Sequence, residues 1–278
     1  MKQFLVFFFT LTFLSTSALA VSPKERVWVM GQLPGESRTN LHILNQNGIE
    51  RGNILGFFSG GVYKYSVNGP LNEFWYVAQL GEDMLSVREN GLFTLRDLPF
   101  GDGVFYIHDA NTLYMAYQGG LSKVTIVDNV RVREEKILNS SQYGDNTPLS
   151  IAVDELNRIY IGAWSTLYRY DPATQELLQA NLGAQAKVID TYQDEAFVAT
   201  GSEILKVSTD FLINSYAPNL TPVDFLAVDA AGNVIAASQG VLWQVAPDET
   251  VTQFSPDQFS NMQGLAITHF NVEATAIG

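Results

Sequence analysis

Along most of the chain, hydrophobic and polar residues alternate in runs of four to six positions, and turn-forming residues break the alternation about every 8 to 12 residues. A period of two puts successive side chains on opposite faces of a strand, whereas an amphipathic helix needs a period near 3.6. The chain is therefore predicted to be all-β. One unit recurs: a β-prone run, a polar turn, then a second β-prone run. It reads VWVMGQ from Val27, FWYVAQ from Phe74, LYMAYQ from Leu113, IYIGAW from Ile159, AFVATG from Ala196 and VIAASQ from Val234. A repeat of about 40 residues made only of strands is the signature of a propeller blade.

The flanks of each copy supply the rest of a blade. A strand ending in a carboxylate or amide precedes it, as in IAVDELNR and LAVDAAGN; a strand such as STLYRYDP or GVLWQVA follows, and a more variable fourth segment closes the unit. Four strands, a to d from the axis outward, make one blade. The segment Gly264–His269 matches an a strand, but the chain ends before a whole blade follows it. The strands near Val27, Leu41 and Asn53 supply what is lacking. The expectation is a six-bladed β-propeller closed by strands from both termini, with seven blades as the alternative. The segment VEATAIG (272–278) competes with Val27–Gln32 for the b position of the closing blade. Residues 21–278 are expected to form a single β-propeller domain.

Residues 1–20 are set apart. Lys2, the apolar run Phe4–Leu14 and the small residues up to Ala18-Leu19-Ala20 follow the order of a cleaved signal peptide. An eleven-residue apolar run is short of the roughly 20 needed to span a bilayer. No second long apolar run follows, so a secreted or periplasmic protein with no membrane span after cleavage is expected. The chain of 278 residues has no Cys, which excludes disulfides, thiolate metal sites and cysteine nucleophiles. Its formal charge of −13 disfavours a nucleic-acid partner, because phosphate backbones are held by cationic side chains.

The stretches IAVDELNRIYIGA and LAVDAAGNVIAAS resemble secreted β-propellers of the NHL and SMP-30/gluconolactonase-like kind. The resemblance covers about 200 residues and specifies a fold rather than an activity, since such propellers include lactonases, lyases and binding proteins. It implies, for the lactonases, one metal held by a Glu, an Asn and an Asp from separate blades. Asn146 resembles that Asn because it precedes an a strand, although Thr147 stands where the family has Gly.

In a propeller the d-to-a and b-to-c connections share one face, and here they are the longer ones: Gly31–Asn40, Asn139–Pro148, Tyr216–Pro222 and Ser255–Gln263. Loops on a rigid scaffold are where binding residues tend to sit. This face is expected to hold a protein, peptide or glycan ligand through Glu36, Arg38, Tyr117, Gln118, Tyr143 and Trp164. Acids and amides at the starts of a strands, Asp102, Asp145, Asn146, Asp190, Asp224, Asn261 and Gln263, would ring the channel mouth. Of these Asp145, Asn146, Asp190 and Asp224 are the candidate oxygen ligands for Ca²⁺ or Mg²⁺. His42, His108 and His269 are dispersed, and no G-x-S-x-G or H-E-x-x-H motif occurs. With no complete catalytic set, the favoured expectation is an exported, monomeric binding module; a metal-dependent lactonase or other hydrolase is the alternative.

Overall fold

A computed structural model describes residues 26–58, 62–66, 73–78, 84–88, 93–96, 103–109, 111–127, 130–143 and 147–268, with backbone alone for 51–96 and for short stretches elsewhere. The leader 1–20, Asp102, Asp145, Asn146, His269 and the segment 272–278 lie outside these residues, as does the side chain of Tyr143.

The alternating runs form strands throughout. In chain order these are β1 (Arg26–Gln32), β2 (Thr39–Leu44), β3 (Glu50–Phe58), β4 (Val62–Ser66), β5 (Glu73–Ala78), β6 (Met84–Arg88), β7 (Phe93–Arg96) and β8 (Val104–Asp109). They continue as β9 (Thr112–Tyr117), β10 (Gly120–Val127), β11 (Val130–Asn139), β12 (Pro148–Val153), β13 (Ile159–Ala163), β14 (Thr166–Asp171), β15 (Glu176–Asn181) and β16 (Val188–Tyr192). The last are β17 (Glu195–Ala199), β18 (Ile204–Val207), β19 (Ile213–Tyr216), β20 (Phe225–Val228), β21 (Val234–Ser238), β22 (Val241–Val245), β23 (Val251–Gln258) and β24 (Ser260–Thr268). A single turn of helix, Ser140–Tyr143, follows β11.

These strands pair into four-stranded antiparallel sheets, β24-β1-β2-β3, β4 to β7, β8 to β11, β12 to β15, β16 to β19 and β20 to β23. Each quoted repeat copy falls on the second strand of its sheet. Blades with described side-chain packing number five, not the six or seven predicted; the sheet β4–β7 is described in its backbone pairing alone. The competition for the closing blade is resolved by register: Val27 lies opposite Ile267, Trp28 opposite Ala266 and Val29 opposite Leu265. Val27–Gln32 is therefore the second strand of that sheet.

The core lies between blades. Leu121 and Tyr114 pack with Ile151 and Ile161; Tyr160 and Leu167 with Ile189 and Val198; Phe197 and Tyr216 with Leu226 and Val234; Leu242 with Val29 and Ile267. Where both faces of a sheet are covered, its strands read as nearly continuous apolar runs, and β13 and β21 are buried at every position.

Polar groups are buried where they lock neighbouring blades. The guanidinium of Arg158 donates from Nε to Asp154 Oδ2 at 2.6 Å, from Nη2 to the Asp194 carbonyl at 2.6 Å and from Nη1 to the Thr209 carbonyl at 3.1 Å. Asp154 in turn accepts the backbone N–H groups of Leu156 and Arg158, closing its own hairpin turn. Charge, turn and blade junction are thus one unit. Arg158→Met leaves the Asp154 carboxylate buried without its cation and is expected to lower the unfolding free energy by about 3 kcal/mol or more, read from urea unfolding at pH 7.

Two buried phenols make a second prediction. Burial, reinforced by the Asp154 carboxylate, pushes Tyr160 up to about 12; burial, reinforced by Glu249 and Asp248, does the same to Tyr216. In the unfolded chain these phenols ionise near 10, so the folded state holds protons that the unfolded state has lost. Their contribution is complete below pH 10 and falls as pH rises towards 12, by about 2–3 kcal/mol each at most. Urea unfolding between pH 9 and 11.5 should show this decline, and Tyr160→Phe should flatten it.

Candidate functional site

Among the described residues, two depressions open at opposite ends of the ring. The larger, about 630 Å³, lies where the innermost strands β16, β20 and β24 begin and where β21 ends. This is the face of the d-to-a and b-to-c connections. Its floor is apolar, with Phe225, Ala237, Phe259 and Met262; its rim carries Lys187, Asp224, Gln239, Gln258, Ser260 and Asn261. A cavity of this size with an apolar base and convergent polar groups suits a small ligand or an inserted side chain.

Backbone geometry fixes the rim. Lys187 precedes β16 and its N–H bonds the Ala199 carbonyl at 2.9 Å; Asp224 precedes β20 and bonds the Ala237 carbonyl at 3.0 Å. The two side chains meet across the blade junction, Nζ to Oδ1 at 2.9 Å. Gln239 and Gly240 form the two-residue turn between β21 and β22, with φ of 51° and 79°. A Cβ on Gly240 would lie 2.0 Å from the Phe259 carbonyl, so that position requires glycine. Asn261, at φ 48°, donates from Nδ2 to Gln32 Oε1 at 2.8 Å, beside the register shift between Met30 and Gln32. Left-handed backbone at Gln239 costs about 1 kcal/mol or more, whereas Asn261 is of a residue type that tolerates it.

Beneath the floor, Phe259 meets the ring of His42 edge-on at 5.3 Å. His42 is fully buried, with Nδ1 2.8 Å from Glu50 Oε1. Its Nε2 lies 3.2 Å from Glu36 Oε2 but off the direction of a hydrogen bond. Glu36 Oε2 accepts the Leu33 N–H at 2.7 Å. Glu36 is thereby built into the fold of its loop, rather than displayed to solvent.

The other predicted site residues are scattered. Arg38 and Gln118 are exposed. Tyr117 folds back over its own hairpin, close on Gly119, with its hydroxyl 3.3 Å from Ser122 Oγ and 3.4 Å from Glu134. Trp164 stands at the turn between β13 and β14, 55% exposed, at φ 51°. Of the four residues named for a metal, Asp145 and Asn146 are outside the described residues, and Asp224 faces the Lys187 ammonium. Asp190 accepts the Thr191 N–H at 2.8 Å and the Val228 N–H at 2.7 Å, clamping β16 to β20. Asp190 and Asp224 thus serve different partners and do not converge. Among the described residues no group of three or more His, Asp or Glu side chains is placed to hold a metal ion. Asp190 and Asp224 alone do not make up the ligand set that the SMP-30-like resemblance implies.

Several predicted segments take a different form. Ser255–Gln263, read as a long loop, belongs almost entirely to β23 and β24, with Phe259 alone between them. Lys187, Gln239, Gln258 and Ser260 were missed. One sequence signal pointed to Gln239: four of the six repeat copies end in Gln, at 32, 79, 118 and 239.

Neither the family models nor the curated proteins compared with the chain give a match. Solved structures do. A chain of the nidogen/laminin complex is similar with a TM-score of 0.65 and 8% identity, covering 87% of this chain and 98% of that one. The extracellular domain of the putative hybrid two-component system BT3049 from B. thetaiotaomicron gives 0.55 and 14%, covering 85% of this chain and 38% of that one. Virginiamycin B lyase from Staphylococcus aureus gives 0.53 and 11%, covering 84% and 89%. At these identities the likeness is one of fold: the chain is an all-β propeller, and propellers of this shape include an enzyme, an extracellular domain and a component of a protein complex. No helix among the described residues is long and apolar enough to cross a membrane.

The Lys187–Asp224 pair tests whether the rim is there for the fold. Both side chains are partly exposed, at 36% and 47%, so solvent screens their attraction. Asp224→Asn is expected to change the unfolding free energy by less than about 1 kcal/mol, whereas Asp190→Ala, which frees two backbone N–H groups, should cost about 1–3 kcal/mol by the same urea assay.

Proposed function

We propose that the protein is an exported single-domain binding module that holds a peptide or glycan at the 630 Å³ depression on the loop face. One observation carries this reading. Six hydrogen-bonding side chains surround an apolar floor, and one of them, Gln239, occupies left-handed backbone that the turn imposes and its residue type does not favour. Amides offer both donors and acceptors, which matches peptide groups and sugar hydroxyls. The ammonium and carboxylate of Lys187 and Asp224 add one charge of each sign. The extracellular and complex-forming propellers of similar fold support an exported interaction role, and the leader-like residues 1–20 agree with it.

The hydrolase alternative has no such support among the described residues, because Asp190 and Asp224 are already engaged with other groups. Melting in EDTA and after adding back Ca²⁺ or Mg²⁺ separates the readings: an unchanged melt is expected.

Binding itself is read on an array of neutral oligosaccharides and short peptides. The expected result is retention of at least one class by the wild-type protein, with at least a tenfold loss in the double variant Gln239→Ala/Asn261→Ala and an unchanged melt. Arg38→Ala and Trp164→Ala extend the test to the surrounding face. Failure of every probe to bind, or retention undiminished in the double variant, would overturn this siting.

A further inference from the structure

The second depression, about 400 Å³, opens at the other end of the channel, where the innermost strands finish. Here β8, β12, β16 and β20 each deliver a pair of consecutive or alternate residues at their C-terminal ends. Val153 and Val228 give an aliphatic base; Tyr106, His108 and Tyr192 give aromatic walls; Asp154, Glu155 and Asp229 give carboxylates. Among the described residues, lysine and arginine are absent from the lining.

We propose that this mouth is a second ligand site, selective for an organic cation on an aliphatic stem, such as an arginine or lysine side chain or a free alkylamine. The chemistry of the lining argues for each part. The stem would lie on the valine base and the aromatic walls. A cation near a tyrosine face is attracted by the ring quadrupole, more strongly as water is excluded. The charge then needs an anion that is not already committed.

Only one of the three carboxylates meets that need. Asp154 is neutralised by Arg158 at 2.6 Å. Asp229 accepts the Ala231 and Asn233 N–H groups at Oδ1 and the Asn233 side chain at Oδ2. Glu155 stands at the tip of the β12–β13 turn, exposed, with no side-chain partner among the described residues. Its backbone is nevertheless held. Its N–H donates to the Gln193 carbonyl of the next blade at 2.9 Å, and the following residues are tied to Asp154. The Tyr192 wall is also fixed: its ring lies over Gly232, where a Cβ would come within 2.8 Å of Cε1, and its hydroxyl accepts from Gln193 Nε2 at 3.3 Å. His108 stacks edge-on with Tyr114 at 5.6 Å. The walls and the anchor of the carboxylate are therefore in place before a ligand arrives, which lowers the cost of binding.

This proposal is independent of the loop-face site, from which it is separated by the length of the innermost strands. Its test is calorimetric titration of the whole protein with three probes at low salt: the peptide acetyl-Gly-Arg-Gly-amide, free arginine amide, and the neutral isostere acetyl-Gly-citrulline-Gly-amide. Binding of either cation at least tenfold more tightly than the citrulline peptide is expected. A preference for the tripeptide identifies a protein-borne side chain as the source, and equal or tighter binding of arginine amide identifies a small molecule. Glu155→Gln, at an exposed turn tip where folding is not at stake, should weaken either cation about tenfold, and Tyr192→Leu should weaken it while keeping apolar cover over Gly232. Equal binding of the citrulline peptide, no binding of either cation, or affinities within twofold of wild type in both variants would overturn it.

Discussion

The pairing of β1 with β24 is the constraint on which the rest of the structure depends. It sets Arg26 to Met30 against Thr268 to Gly264 in one antiparallel register, so the first and last described strands share a sheet. A sheet left open at that junction would expose two edges, each a row of unsatisfied N–H and carbonyl groups. Pairing removes both edges and buries Trp28 completely, together with Val29, Met30 and Leu265. It also positions the loop-face rim. The register shift after Met30 brings Gln32 opposite Ser260 and hands its side-chain oxygen to Asn261. A local device for closing the ring is therefore also what orients one of the polar groups around the larger depression.

The carboxylates illustrate how the same residue type is divided between fold and site. Asp154 and Asp229 end equivalent innermost strands and do equivalent work, each accepting backbone N–H groups of the turn that follows. Asp190 reaches across to Val228 and joins two blades. These carboxylates are hydrogen-bonded within the fold itself. Acidity alone in this chain says little about where chemistry occurs; what distinguishes Asp224 and Glu155 is that the backbone needs neither.

Much of the architecture was legible because a four-stranded unit imposes its own spacing. Six copies of one strand pattern, each followed by a polar turn, place second strands correctly without any knowledge of packing. The closing blade was legible in outline too, since an unmatched a strand at one end and unmatched b, c and d strands at the other must meet. What could not be read was the number of blades, because that depends on contacts between strands distant in sequence. The site was less legible for a related reason. Glu36 was chosen as a loop carboxylate, but its oxygen is held by Leu33 and lies beside His42, a contact made when β2 folds back on β1. Ser255–Gln263 was read as a loop for its Pro, Asp, Ser and Asn content, yet irregular β23 and β24 absorb those residues with register shifts at their ends. Turn-forming composition signals a break in regular pairing; it does not say whether the break is a loop or a bulge.

The hairpin turns on the loop face carry the argument one step further. Ala163 pairs with Thr166 and Ser238 with Val241, so each turn has two residues, Trp164-Ser165 and Gln239-Gly240. Two-residue hairpins twist with their strands when the first turn residue is left-handed, which favours Asn, Asp or Gly there. Trp164 and Gln239 occupy that position at φ 51° in both cases. Neither residue type relieves the strain through its own side chain, and Trp164 remains more than half exposed. The fold would be served equally well, or better, by Asn-Gly at either turn. Large or amide side chains held in this conformation project from turns whose ends are fixed by strand pairing, where little further order has to be imposed on binding. That places the cost of the unfavourable backbone on the same residues that a ligand at this face would meet.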